Sequence, residues 1–435
     1  MTSLRINGAR LNDTLQSTSS QWGAIPDSPG MCRLSLSQAD KLARDWLIGE
    51  CEALGCATKV DQMGNIFAVR PGKAPDRKPI GMGSHMDTQP AGGRYDGILG
   101  VQAALEALRT LHERGAETHC PVALIDWTNE EGARFPGAMM ASGVWSGRGA
   151  APLAACHATR DSDGVAMRDA LARAGYLGET ACDWRENGLQ AHFELHIEQG
   201  PVLEEKGLAV GVVTGVQGMK WFEVRVTGEE GHSGTTPMTK RSDALATASR
   251  LITAVNDAAR SSPEMPLGGV ATVGVIKCDT SSQATIPAGV TFIIDVRARN
   301  DDAVSSLSTD IFTRFDSVMR AERDAGSKTA YAVARTWGLP ESKFHPDCIA
   351  AVRGAAVDEV GAEQVDEMMS RAGHDSAWTS RVVPTGMIFV PSKGGISHNP
   401  HEYTSPEHCA LGGQVLLQAV LKYDELCSKG TIPAS

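Results

Sequence analysis

Residues 79–111 read PIGMGSHMDTQPAGGRYDGILGVQAALEALRTL, and residues 122–132 read VALIDWTNEEG. Residues 79–84 form a short strand candidate that delivers His85 and Asp87. GGRYDG at 92–97 is a glycine-rich loop carrying Asp96. From Ile98, apolar residues recur at Val101, Leu105, Leu108 and Leu111, spacings of three and four that predict an amphipathic helix. Residues 122–127 form a continuous apolar strand candidate ending at Asn129-Glu130-Glu131. Strand, loop, helix and strand of these lengths make a βαβ unit, in which ligands lie beyond the carboxyl ends of the strands. His85/Asp87 and Glu130/Glu131 both fall at that edge.

Outward from this unit, Ser37 has the form of a helix N-cap, with Asp40 three residues on and Leu42, Trp46 and Leu47 at helical spacing. Residues 61–65 predict a turn and 66–69 a strand. HFELHIE at 192–198 alternates as a strand does. The texture changes near residue 216. Strands at 221–227, 270–276 and 290–297, with helices at 242–260 and 301–322, predict two strand-pairs around two helices in an inserted α+β unit. The fold class is α/β, with a large discontinuous domain (1–216 and 339–435) and a smaller one (217–338). A helical pattern at 408–427 ends the chain.

The 435 residues are 42% hydrophobic and 21% charged, the balance of a folded globular chain. The formal charge is −11 and no basic block is present. That argues against nucleic acid and anionic membrane surfaces as partners. No apolar run is long enough for a membrane helix. No secretory signal is visible, and the ten cysteines include no C-x-x-C pair. They read as reduced thiols in a cytoplasmic protein.

Any single His or acidic residue beside a glycine is ordinarily structural. Together, His85, Asp96, Glu130, Glu131, His196 and His398 supply enough imidazole and carboxylate for two metal ions, a mixture that suits Zn, Mn, Co or Ni better than Ca or Mg. Of two adjacent glutamates, one can bind metal while the other stays free to move a proton. Arg297 ends an apolar strand, where its fork can pair with a substrate carboxylate or with Asp295 or Asp301. His232 lies in a glycine-rich turn and reads either as an oxyanion donor or as a turn-stabilising residue.

Six strings carry a family resemblance: GSHMDT (83–88), GGRYDG (92–97), TNEEGARF (128–135), ELHIEQGP (194–201), GHSGTTPM (231–238) and GISHNPHEYT (395–404). Together they resemble the hydantoinase/carbamoylase branch of the M20 dinuclear metallohydrolases. The resemblance implies a catalytic domain with a mixed sheet flanked by helices, and a smaller lid and dimerisation domain giving a homodimer. It also implies a metal-dependent amidohydrolase that cleaves the carbamoyl C–N bond of N-carbamoyl-L-amino acids. Allantoate or ureidoglycolate hydrolysis, β-ureidopropionase activity and, more distantly, a dinuclear aminopeptidase or deacylase are the alternatives. It further implies that His85, Asp96 and His196 hold one ion and that Asp96 bridges to a second held by Glu131 and His398. Glu130 is then the general acid/base, Asp87 supports His85, and Gln199, His232 and Arg297 contact a small ureido-acid substrate. Two positions depart from the pattern. Ala284 stands where relatives commonly carry Asn, and Ser376 replaces the usual Ala after His374-Asp375, residues expected to support the cleft without ligating metal.

Overall fold

The computed structural model describes residues 4–432. The chain divides into two compact units, one running to Gly215 and resuming at Lys343, the other Val216–Ser342.

In the larger unit, strands Ala57–Val60, Ile66–Arg70, Val122–Trp127, Ile80–His85, Ala191–Ile197, Thr385–Val390 and Val210–Val216 lie side by side in that order in one mixed sheet. Four consecutive members (Val122–Trp127, Ile80–His85, Ala191–Ile197 and Thr385–Val390) run parallel. Their carboxyl ends therefore share one edge. Val122, Leu124, Phe193 and Leu195 join one core with the helices Ile98–Glu113, Pro346–Val360 and Pro406–Ser428. Ile125 and Trp127 alternate to the other face and pack with Phe67, Phe135 and Trp145.

Two period-based expectations change here. The helix Ile98–Glu113 is buried on nearly every side, not along a stripe. Its polar residue Glu106 can be enclosed because it accepts from Arg10 Nε at 2.7 Å and from the Asn7 amide at 2.9 Å. The N-terminal helix Gly8–Gln21 and the C-terminal helix thus cover what would have been a solvent face. Ala191–Ile197 does alternate, but both of its faces are buried, as befits a strand between two parallel neighbours. On the helix Gln38–Ala53, capped by Ser37 as expected, Ala43, Arg44 and Leu47 turn inward while Leu42 stays 40% exposed.

The smaller unit holds a four-stranded antiparallel sheet, ordered Ala330–Leu339, Gly218–Thr227, Gly289–Ala298, Val270–Cys278, in place of two strand-pairs, and a separate short ladder pairing Gly231–His232 with Thr285–Ile286. The strand 330–339 was illegible because most of its residues are exposed, so no apolar alternation marks it. Helices Ala244–Ser261 and Asp301–Asp324 pack on one face through Leu251, Ile311 and Phe315 against Val224, Phe292 and Ile294. Among the described residues, no helix is long and apolar enough to cross a membrane.

Candidate metal centre

His85 ends its strand with Nδ1 2.9 Å from the Asp87 carbonyl oxygen. A carbonyl can only accept, so the proton sits on Nδ1 and Nε2 presents a lone pair to the cleft. The supporting contact from Asp87 is therefore made by its main chain. Its carboxylate, 3.9 Å from the ring nitrogen, instead accepts the amides of Glu130 (3.1 Å) and Glu131 (3.3 Å). His196 is held the same way, with Nδ1 2.8 Å from the Ile197 carbonyl oxygen.

Asp96 stands where the glycine loop enters the helix Ile98–Glu113. Its Oδ1 lies 3.0 Å from His196 Nε2 and 3.7 Å from His85 Nε2. Its Oδ2 lies 3.3 Å from His398 Nε2, which is also 3.3 Å from Glu131 Oε2. Two groups that could each hold a metal ion result, His85/Asp96/His196 and Asp96/Glu131/His398, each with donor atoms within 4.8 Å of one another. Gly97 makes the approach of His85 feasible. Its φ is +66°, and a Cβ there would fall 2.2 Å from the imidazole.

Glu130 and Glu131 follow Asn129, whose φ of 58° turns the chain sharply and whose side-chain amide donates to the Phe135 carbonyl at 3.0 Å. The turn sends both carboxylates into the cleft. Glu131 joins the second ligand group, and Glu130 Oε2 lies 3.6 Å from His85 Nε2 without belonging to either. Burial, followed by the charges of Asp375 and Glu131, holds the Glu130 carboxyl well above the usual carboxylate range. Burial pushes Asp96 the same way, but hydrogen bonds from His196 and His398 outweigh it and bring the group well below. Burial pushes Glu131 up to about 7 and His85 down to about 4. Of the three imidazoles His85 alone is held neutral, while His196 and His398, facing Asp96, are raised to about 9. The positive charge that these buried carboxylates need is thus carried by imidazolium protons that metal ions can replace, and the donor set fits two divalent cations.

Gln199 also reaches this centre, its Nε2 donating to Asp96 Oδ2 at 2.7 Å and to Ser397 Oγ at 3.1 Å. His232 and Arg297 belong to the smaller unit. His232 is exposed, and its Nδ1 accepts the Gly234 amide at 3.0 Å, which leaves Nε2 as the protonated nitrogen. Arg297 forks onto the Asp295 carboxylate, two residues along the same face of its strand, with Nη2 2.7 Å from Oδ2.

A model of the peptidase family M20/M25/M40 matches residues 81–422. The chain belongs to the M20 family. Relatives include the N-carbamoyl-L-amino-acid amidohydrolase of Rhizobium meliloti, 37% identical over 422 residues, covering 97% of this chain and 98% of that one. The allantoate amidohydrolase of Bacillus subtilis is 32% identical, covering 92% and 94%. The crystal structure of a hydantoinase/carbamoylase family amidase from Burkholderia vietnamiensis superposes with a TM-score of 0.85 at 42% identity, covering 97% and 98%.

Around the M20 centre stand residues that the sequence reading passed over or underrated. His374 packs its ring 4.5 Å from that of His196 and, with Glu194, forms a third potential ligand group. Glu194 is fully buried and accepts from Ser84 Oγ at 2.7 Å and Ser376 Oγ at 2.6 Å, so Ser376 supplies a hydroxyl that Ala would lack. Glu402 bonds the Asp96 loop from four residues beyond His398, inside a string already singled out.

Proposed function

We propose that this chain is a metal-dependent amidohydrolase that hydrolyses the carbamoyl C–N bond of N-carbamoyl-L-amino acids, yielding amino acid, carbon dioxide and ammonia. The observation that carries the reading is the division of Asp96 between two ligand groups, with Glu130 beside them and part of neither. His85, Asp96 and His196 would hold one cation, and Asp96, Glu131 and His398 the other, with Zn, Mn, Co and Ni as the candidates. Such ions, when bound, polarise a substrate carbonyl and lower the pKa of water.

Glu130 takes the proton of the attacking water and passes it to the departing nitrogen. Its burial keeps bulk water from competing for that proton. His232 donates from Nε2 to the developing oxyanion, the tautomer that the Gly234 amide imposes. Arg297 exchanges Asp295 for the substrate carboxylate, a like-for-like bidentate swap that orients the ureido group. Gln199 contacts substrate from beside Asp96. The smaller unit acts as lid and dimerisation domain of a cytoplasmic homodimer, and sedimentation velocity tests the dimer.

The reaction is tested on a panel of N-carbamoyl-L-amino acids, N-carbamoyl-β-alanine, ureidoglycolate, allantoate and dipeptides, with each metal added in turn. Ala284 favours keeping allantoate or ureidoglycolate as the second reading, because a methyl replaces the amide that relatives commonly present there. Allantoate turned over faster than every N-carbamoyl-L-amino acid would change the substrate and keep the chemistry. A dipeptide turned over fastest would overturn both.

A further inference from the structure

Glu402 has no place in the proposed chemistry, yet it is 5% exposed and its carboxylate bonds only the Asp96–His398 side of the centre. Its Oε1 accepts two consecutive main-chain amides, Tyr95 and Asp96, each at 3.0 Å. Its Oε2 accepts from Ser397 Oγ at 3.1 Å, and the same hydroxyl lies 3.0 Å from Asp96 Oδ2. The Glu402 amide in turn donates to the Asn399 carbonyl at 3.0 Å, closing the turn that follows His398. His398 itself sits at a φ of +53°, a left-handed conformation uncommon outside glycine. Glu402 fits this close only because residue 93 has no side chain. A Cβ on Gly93 would lie 2.2 Å from Glu402 Oε1.

We infer that Glu402 is a positioning residue that fixes Asp96 and His398 relative to each other, and so sets the affinity of the second cation group in preference to the first. The inference rests on the dinuclear reading above. The asymmetry has a physical source. His85 and His196 stand on strand ends of a buried sheet, each oriented by a neighbouring carbonyl, whereas His398 rides on a turn with its side chain 51% exposed. Hydrogen bonds tie that turn to the Asp96 loop, which is more than 300 residues away in sequence.

The experiment titrates the metal-free full chain with Mn²⁺ by calorimetry and follows amide exchange at Tyr95 and Asp96. Glu402→Ala is expected to weaken the ion of the Asp96/Glu131/His398 group by roughly 10–100-fold, the usual effect of losing a partner that orients a ligand, to weaken the other ion, which shares Asp96 but keeps the strand-borne His85 and His196, by less, and to speed exchange of both amides. Glu402→Gln is expected to restore affinity, because its amide oxygen can accept both main-chain amides and the Ser397 hydroxyl can turn to accept its nitrogen. Gly93→Ala is expected to reproduce Glu402→Ala without touching the carboxylate, which keeps the test available if Glu402→Ala does not fold. Wild-type affinity for both ions together with unchanged exchange in Glu402→Ala or Gly93→Ala would overturn the inference. Failure of Gln to rescue would overturn it too, by showing that charge and not placement matters. A wild-type chain that binds two ions but hydrolyses no ureido acid would overturn the proposed reaction alone.

Discussion

Asp96 and Glu130 are both buried carboxylates in one cleft, and their surroundings push them in opposite directions. Asp96 is hydrogen-bonded by two imidazoles and stays ionised, while Glu130, cut off from water and facing Asp375 and Glu131, is held toward its protonated form. Cations held beside it would shift that balance toward the ionised form that the proposed acid/base role of Glu130 requires. Replacing Glu130 by Gln should therefore leave both ions in place and lower kcat by at least about 10²-fold, checked by metal analysis beside single-substrate kinetics. His398→Ala should lose one of two ions, and full occupancy in that variant would contradict its assignment. At this scale the residue types were legible, because His-x-Asp and Glu-Glu each sit against a glycine-bounded strand end. The contact that Asp87 makes was not legible, since choosing between its carbonyl and its carboxylate takes the path of the Glu130–Glu131 turn.

The helix Gln38–Ala53 reaches the centre through one buried pair. Arg44 Nε meets Asp126 Oδ2 at 2.8 Å, both side chains almost wholly enclosed, and Arg44 Nη2 also donates to Thr128 Oγ1 at 2.7 Å. Asp126 and Thr128 flank the end of the strand that carries Glu130, so the helix pins the strand end. Removing one partner strands a buried charge. Arg44→Met should cost about 3–5 kcal/mol, read from chemical denaturation of the metal-free protein. The Ser37 cap and the limits of this helix could be read from local sequence, because capping is a contact between neighbours in the chain. Its buried face could not. Leu42, placed on the apolar spacing, stays 40% exposed while Arg44 is buried, because Asp126 lies beneath the helix, 82 residues away in sequence.

Across the larger unit, the candidate ligands come from four separate segments, near residues 85–96, 131, 196 and 398, brought together by the shared edge of the parallel strands. A centre assembled in this way exists only in the folded chain, so cations that bind it stabilise the fold by mass action. With free metal at about 100 times Kd, each site should add about 2.7 kcal/mol. Chelation should accordingly lower the Tm of wild type, and lower it less in His398→Ala. An equal shift in both proteins would mean that the second site contributes nothing to stability.

The amino-acid sequence by itself determined the βαβ unit, the edge where its chemistry gathers, the inserted α+β unit and the residue types of the metal centre, because each is written in local periodicity or in short strings. Only the tertiary structure decided that Asp96 divides its two oxygens, that the helix Ile98–Glu113 is enclosed on nearly all sides, and that Glu402 grips the loop opposite. Those features depend on segments 96 to 306 residues apart meeting at ångström distances, and no spacing along the chain encodes such a meeting.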